Sequence, residues 1–311
     1  MSAGAYDVIV IGAGIAGLAA TKQLLQRDKT LQVANIEAGL FGGLVVNVED
    51  LDGDIGGSGV DLASGLMMEA SELGATMLAE KVEAVAHDAG GWRVTTTDGE
   101  YFARAVIVAS GASLRKLGVP GETQFEHKGV SQCAACDGPM FSGQDVVVVG
   151  GGDSALQEAR VLAGVCAQVY LVNRAERFTG KPELVAGLGR RENITFFHQT
   201  EVLTIQGNET VERVSTQNLA DGSVRDIACR AVFAFVGLEP RTDFVPASVP
   251  RDNQGRLLAD QSLRAAEALF VAGAVRSGCG GMLTHAIADG CAAADEALRT
   301  LKGAAVAQLS P

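Results

Sequence analysis

The chain has 311 residues, 47% hydrophobic and 20% charged, with a formal net charge of −12 and a pI near 4.8. That length suits two ordinary domains, and that composition excludes disordered and fibrous classes. Acidic surfaces repel phosphate, and one Trp with three Tyr leaves little material for base stacking, so nucleic acid is excluded as an expected partner.

No run reaches the roughly 18 consecutive apolar residues of a membrane span. Residues 7–11, Asp-Val-Ile-Val-Ile, have no basic region and apolar stretch ahead of them, so no signal peptide is read and the cytoplasm is the expected compartment. The same five residues read as a buried strand. It breaks at Gly12-Ala13-Gly14-Ile15-Ala16-Gly17 and continues as a helix pattern to Gln26. Glu37 ends the next strand, 20 residues after Gly17. Glycines at this spacing let backbone approach a pyrophosphate at a helix N-terminus, while the carboxylate accepts from a ribose hydroxyl. The competing reading is a ligand-free tight turn, and the strand–helix context favours a dinucleotide site.

Residues 92–97 and 100–104 flank Asp98-Gly99 as a hairpin, followed by an apolar strand at 105–111. Residues 115–129 read as a crossing between domains. Cys133-Ala134-Ala135-Cys136-Asp137 follows. Two cysteines three apart near a helix start can close a small disulfide ring and lower one thiol's pKa. Zinc would need a second pair at ligand spacing, and Cys166, Cys229, Cys279 and Cys291 stand alone, so no metal is expected and these four read as core residues. Asp137 is either an acid/base for a leaving thiolate or a helix cap.

The pattern then repeats. Residues 145–149 form a strand, Gly150-Gly151-Gly152-Asp153-Ser154-Ala155 a glycine turn, and a helix runs towards Leu162. Past the next strand comes Asn173-Arg174-Ala175-Glu176. Arg174 or Lys181 could meet a 2′-phosphate and Glu176 a 2′-hydroxyl; the alternative is a degenerate copy kept as scaffold. A second hairpin spans 211–230 around Asp221-Gly222, then an apolar strand at 231–237. Residues 238–244 read as the return crossing, and 268–301 as a strand and helix completing the first domain. His87, His127 and His198 read as surface groups. His285 is either a flavin or thiol contact or a plain helix-start residue.

Repetition on this scale means two copies of one fold. The expected class is α/β, with two Rossmann-like, doubly wound, three-layer domains around parallel sheets and helices on both faces. The second is inserted into the first: residues 1–114 and 243–311 are expected to form one dinucleotide-binding domain, and 115–242 a second that carries the CxxC pair.

The chain resembles the low-molecular-weight bacterial thioredoxin reductases over nearly its whole length. The resemblance rests on GAGIAG at 12–17, GG at 42–43, ASGA at 109–112, GVSQCAACDG at 129–138, GGGDSA at 150–155 and the AG–DG frame at 272–290. It implies a homodimeric flavoenzyme in which Cys136 faces the flavin, Cys133 attacks the substrate disulfide and Asp137 is the acid/base. It implies FAD in the first domain, on Gly12, Gly14, Gly17, Glu37, Gly43, Ala109, Gly111, Gly273 and Met282, and NAD(P)H in the second, on Gly150, Gly152, Ala155 and Arg174. The substrate the resemblance implies is a thioredoxin-like protein or a small disulfide or dithiol.

Three departures matter. The family's His-Arg-Arg stretch and a following arginine appear as Asn173-Arg174-Ala175 and Thr179. Two of three phosphate-binding arginines are therefore missing, each worth roughly 1.5–3 kcal/mol, so a reduced or altered dependence on NADPH is expected, with NADPH and NADH both left open. The usual Gly-Asp is Gly273-Ala274, and the usual Arg-Gln is Gly281-Met282. Alternatives left open are a dithiol oxidase passing electrons through FAD to oxygen, and a reductase supplied by ferredoxin or a second flavin.

Overall fold

The computed structural model describes residues 2–48, 51, 56–88, 90–279 and 281–308. They form two compact units, Met1–Ser113 with Glu239–Pro311, and Leu114–Leu238.

In the first unit the strand Ser2–Ile11 leads through the glycine turn into the helix Ile15–Arg27. It pairs in parallel with Val33–Ile36 on one side and Glu100–Val108 on the other, with Val8 opposite both Val33 and Ala105. Thr76–Leu78 extends the sheet beyond Val33–Ile36, and Leu269–Val271 extends it beyond Glu100–Val108, both in parallel. The edge strand Arg264–Ala266 is antiparallel.

Period-2 alternation sorts the strand residues into two cores. Val8, Val10, Ala105 and Ile107 pack on helices Ile15–Arg27 and Leu283–Gln308, through Ala16, Ala20, Leu24, Ala294 and Ala297. Ile9, Ile11, Val106 and Val108 face the other way, onto Trp92, Val94, Val245 and Leu257. That second face is covered by the antiparallel strands Val82–Asp88 and Gly91–Thr96 together with the 245–257 segment. The expected three layers are present, and in this unit the third is β-structure where helices were expected. The hairpin and the strand after it are one continuous element, Glu100–Val108.

The second unit repeats the plan. Its parallel sheet runs Ile194–Phe197, Gln168–Val172, Asp145–Val149, Ala231–Ala234, Val130–Ser131. Val146 and Val148 pack on helix Asp153–Leu162 through Ala155, Leu156, Ala159 and Leu162. Val147 and Val149 pack on Val202, Val211, Val214 and Ile227, from the antiparallel strands Thr200–Gly207, Val211–Asn218 and Val224–Ala228. Here the hairpin arm and the following strand are separate: the Cys229 amide still donates to Glu212 of the hairpin's partner strand, and the Arg230 amide turns to the Asp145 carbonyl of the parallel sheet.

Residues 115–129 are an integral part of this unit and not only a crossing. Phe125 is buried in its core, and the buried Glu122 carboxylate accepts the backbone N–H groups of Leu117 and Gly118, both at 2.8 Å. The return boundary falls at Leu238/Glu239. Residues just after it belong to the first unit because Arg241 donates its amide to Gly111 and accepts from the Ser110 hydroxyl.

Candidate active site

The first glycine turn is built so that almost any side chain would obstruct it. Gly12 has φ +103°, and a Cβ there would overlap the Ala109 carbonyl; a Cβ on Gly17 would overlap the Gly12 carbonyl. Gly14 caps the helix with extended backbone and no side chain, leaving its first N–H groups facing outward. Gly42 bridges to Gly14 and donates its amide to Ala13, while Gly43 would place a Cβ 3.2 Å from the Gly14 Cα.

Glu37 is fixed at the tip of the strand Val33–Ile36. One carboxylate oxygen accepts the Ala13 amide at 2.9 Å and the other the Gly39 amide at 2.9 Å. A Cβ on Gly273 would meet the Ala16 side chain, and its amide donates to the buried Asp289. Gly12, Gly14, Gly17, Glu37, Gly43, Ala109 and Gly273 are thus assembled at one helix N-terminus. Gly111 has φ +65° with open space where a Cβ would be, and Met282 is 55% exposed next to Leu283, which packs beside Ile15 and Val45.

The second turn repeats this geometry inside the Leu114–Leu238 unit. Gly150 has φ +144°, a Cβ there would overlap the Phe235 carbonyl, and Gly152 caps the helix Asp153–Leu162. An open cleft of ≈ 390 Å³ lies over it, lined by Gly150, Gly152, Ala155, Asn173, Arg174 and Thr179 among others. Asn173 is buried, its amide nitrogen donating to the carbonyls of Ala175 and Arg177, both at 3.0 Å. The Thr179 hydroxyl and amide both donate to the Gly151 carbonyl. Arg174 reaches Glu201 at 3.4 Å. Glu176 and Lys181 are exposed.

Cys133 and Cys136 form a disulfide, S–S 2.06 Å with Cα atoms 5.3 Å apart. Cys133 is the N-cap of the short helix Ala134–Asp137, and its sulfur accepts the Cys136 amide at 3.2 Å. An amide aimed at a sulfur favours the thiolate once the bond is reduced. Cys133 is half-buried and Cys136 is exposed. Asp137 is half-buried, and its side chain makes no capping hydrogen bond to the following turn, which removes the helix-cap reading.

Sequence reasoning missed two acidic side chains here. Glu158 accepts the Ala134 amide at 3.0 Å, fixing the start of the redox helix, and Glu201 pairs with Arg174. Both act across 24 or more residues, and no local motif marks such contacts. His198 is not the surface group expected: its Nδ1 is buried without a hydrogen-bond partner, and its ring lies 4.6 Å from that of Phe178. His87, His127 and His285 are exposed. Cys166 and Cys229 are buried, whereas Cys279 and Cys291 are only half-buried. Among the described residues no helix is long and apolar enough to cross a membrane.

Residues 6–297 match the pyridine nucleotide-disulphide oxidoreductase family. The thioredoxin reductase of Treponema pallidum is 33% identical over 297 residues, covering 94% of this chain and 96% of that protein. The crystal structure of Lactococcus lactis thioredoxin reductase superposes with a TM-score of 0.90 at 29% identity, over 96% of this chain and 99% of the other. That of T. acidophilum thioredoxin reductase gives 0.87 at 28%, over 95% and 98%. The chain therefore belongs to the pyridine nucleotide-disulphide oxidoreductase family and is a thioredoxin-reductase-like, flavin-dependent enzyme that acts on disulfides.

Proposed function

We propose that this enzyme reduces a thioredoxin-like protein or a small disulfide, drawing electrons from a pyridine nucleotide through FAD and the Cys133–Cys136 pair. The disulfide at a helix N-cap, with an amide on the Cys133 sulfur, carries this reading.

The residues of the first turn fit FAD. Carbonyl oxygens occupy the places where Cβ atoms of Gly12 and Gly17 would stand, outward N–H groups suit a pyrophosphate, and Glu37 stands at the strand tip for a ribose. Gly12, Gly14, Gly17, Glu37 and Gly43 would hold the dinucleotide, with Ala109, Gly111, Gly273 and Met282 towards the flavin. When bound, FAD supplies the two-electron chemistry linking the nucleotide to the cysteine pair.

The cysteines carry the rest. In the reduced enzyme the Cys133 thiolate attacks one sulfur of the substrate disulfide, forming a mixed disulfide and releasing the other sulfur as a thiolate. Asp137 delivers the proton that neutralises it. The Cys136 thiolate then attacks the Cys133 sulfur, restoring the internal disulfide and releasing the second substrate sulfur as a thiolate, which takes a proton from water. The pair loses two electrons and the substrate gains them. Gly150, Gly152, Ala155 and Arg174 would hold the nucleotide. A homodimer working in the cytoplasm accompanies the reading, on the same resemblance.

The test is spectral and kinetic. Purified enzyme should be yellow, and Cys133→Ser should retain the flavin while losing turnover of 5,5′-dithiobis(2-nitrobenzoate). Colourless protein that refuses added FAD, or unchanged turnover in that variant, overturns the assignment. Anaerobic mixing sets the direction: reduced nucleotide should bleach the flavin, and bleaching by a dithiol alone would make the enzyme an oxidase.

A further inference from the structure

In a dinucleotide-binding fold the adenosine ribose sits at the tip of the second strand. In the second unit that tip is Asn173-Arg174, after the strand Gln168–Val172. Arg174 is the only basic residue among the described residues that line the cleft, and Glu201 already engages it. We propose that Glu201 makes this cleft select a dinucleotide with a free 2′-hydroxyl, NADH, over one with a 2′-phosphate, NADPH. The proposal rests on reading the second unit as a nucleotide site.

A 2′-phosphate brings about −1.5 to −2 charges at neutral pH and needs cations in surplus. The cleft does not supply them. Asn173 is neutral, with both amide hydrogens committed to the Ala175 and Arg177 carbonyls. The Thr179 hydroxyl is committed to the Gly151 carbonyl. Arg177 and Lys181 are exposed and do not line the cleft. Asp153, which does line it, is acidic, and its carboxylate accepts the Lys181 amide.

Glu201 is held where it is by backbone. Thr200 donates its amide to the Asn173 carbonyl at 3.0 Å, and Gln199 donates to Ala175 at 3.1 Å, so the strand Thr200–Gly207 starts against the ribose-binding tip. The Glu201 side chain is 29% exposed and that of Arg174 75% exposed. Arg174 can therefore swing towards a ligand, while the carboxylate beside it stays. A phosphate there must displace one anion from the sole cation and remain next to it. A ribose hydroxyl meets no such penalty and can donate to a carboxylate.

Titration calorimetry with ADP-ribose and 2′-phospho-ADP-ribose reads this without flavin chemistry. The wild-type enzyme should bind ADP-ribose more tightly. Glu201→Gln should tighten 2′-phospho-ADP-ribose by about two- to fivefold and change ADP-ribose by less than about 1.5-fold, the scale expected of a solvent-exposed charge pair. Glu201→Asp, which keeps the charge, should keep the wild-type ratio, and Arg174→Ala should weaken the phosphorylated probe further. Binding of both probes with a ratio that Glu201→Gln leaves unchanged overturns the selectivity proposal alone, as does a wild-type preference for the phosphorylated probe. Failure of both probes to bind, in protein that still carries flavin, overturns the nucleotide site and this proposal with it.

Discussion

Asp289 grips Arg276 edge-on, its two carboxylate oxygens accepting Nε at 2.6 Å and Nη2 at 2.7 Å. The same carboxylate takes the Gly273 amide at 3.1 Å. The guanidinium's hydrogen bonds and attraction to Asp289 raise its pKa against the opposing effect of burial. The pair thus shapes the Gly273–Val275 turn, which touches the helix of the first glycine motif at Ala16. Gly290, next in sequence, lets the last helix approach that helix backbone, since a Cβ there would overlap the Ala16 carbonyl.

Asp289→Ala should therefore cost about 2–4 kcal/mol, because it strands a half-buried guanidinium and an amide donor. Asp289→Asn keeps an acceptor for Gly273 and should lose about half as much. Urea unfolding gives the stability, and the fraction of flavin retained through gel filtration gives the cofactor effect. Equal stability of Asp289→Ala and wild type would reject the clamp.

The glycine turns were legible because sterics leave few substitutes. A φ of +103° at Gly12 and +144° at Gly150, each against a carbonyl, demands glycine, so the chemistry shows in the letters. The β-layer over each sheet was not legible as a cover. Alternation such as Trp92, Arg93, Val94 marks a half-buried strand but does not say which surface the apolar side meets. Residues 115–129 look like a linker because of Gly118, Pro120 and Gly121, yet Phe125 and Glu122 tie them into a core. Glu158 and Glu201 act on partners distant in sequence, and only the folded chain brings them together.

The cysteines should separate by reactivity. Burial, reinforced by the Asp145 charge, pushes the Cys166 thiol up to about 11 and the Cys229 thiol up to about 12. At pH 8 the thiolate fraction of Cys166 is then about one in a thousand, and both side chains are sterically shielded. After mild reduction, iodoacetamide at pH 8 should modify Cys133 and Cys136 and leave Cys166 and Cys229 unmodified until the protein is unfolded. Peptide mass spectrometry reads the sites. Rapid native-state labelling of Cys166 or Cys229 would contradict their burial.

Alkaline pH tests a second buried group in the first unit. The Tyr101 hydroxyl donates to Glu80 at 2.7 Å, and the other Glu80 oxygen accepts from Thr96 at 2.6 Å. The hydrogen bond to Glu80, then burial, then the Glu80 charge push the phenol up to about 12 from 10.0. A raised folded-state pKa means that the unfolded chain releases this proton first. The stabilisation is whole below pH 10 and drains as pH rises from about 10 through 12. Tyr101→Phe should cost about 1 kcal/mol at neutral pH through the lost donor, and its stability should fall less than the wild type's between about pH 9 and 11.5. Urea unfolding followed by circular dichroism at those two values measures both slopes. Lysine titration affects the two proteins alike and cancels in the difference, so parallel slopes would mean that the phenol ionises in the folded protein as it does in water.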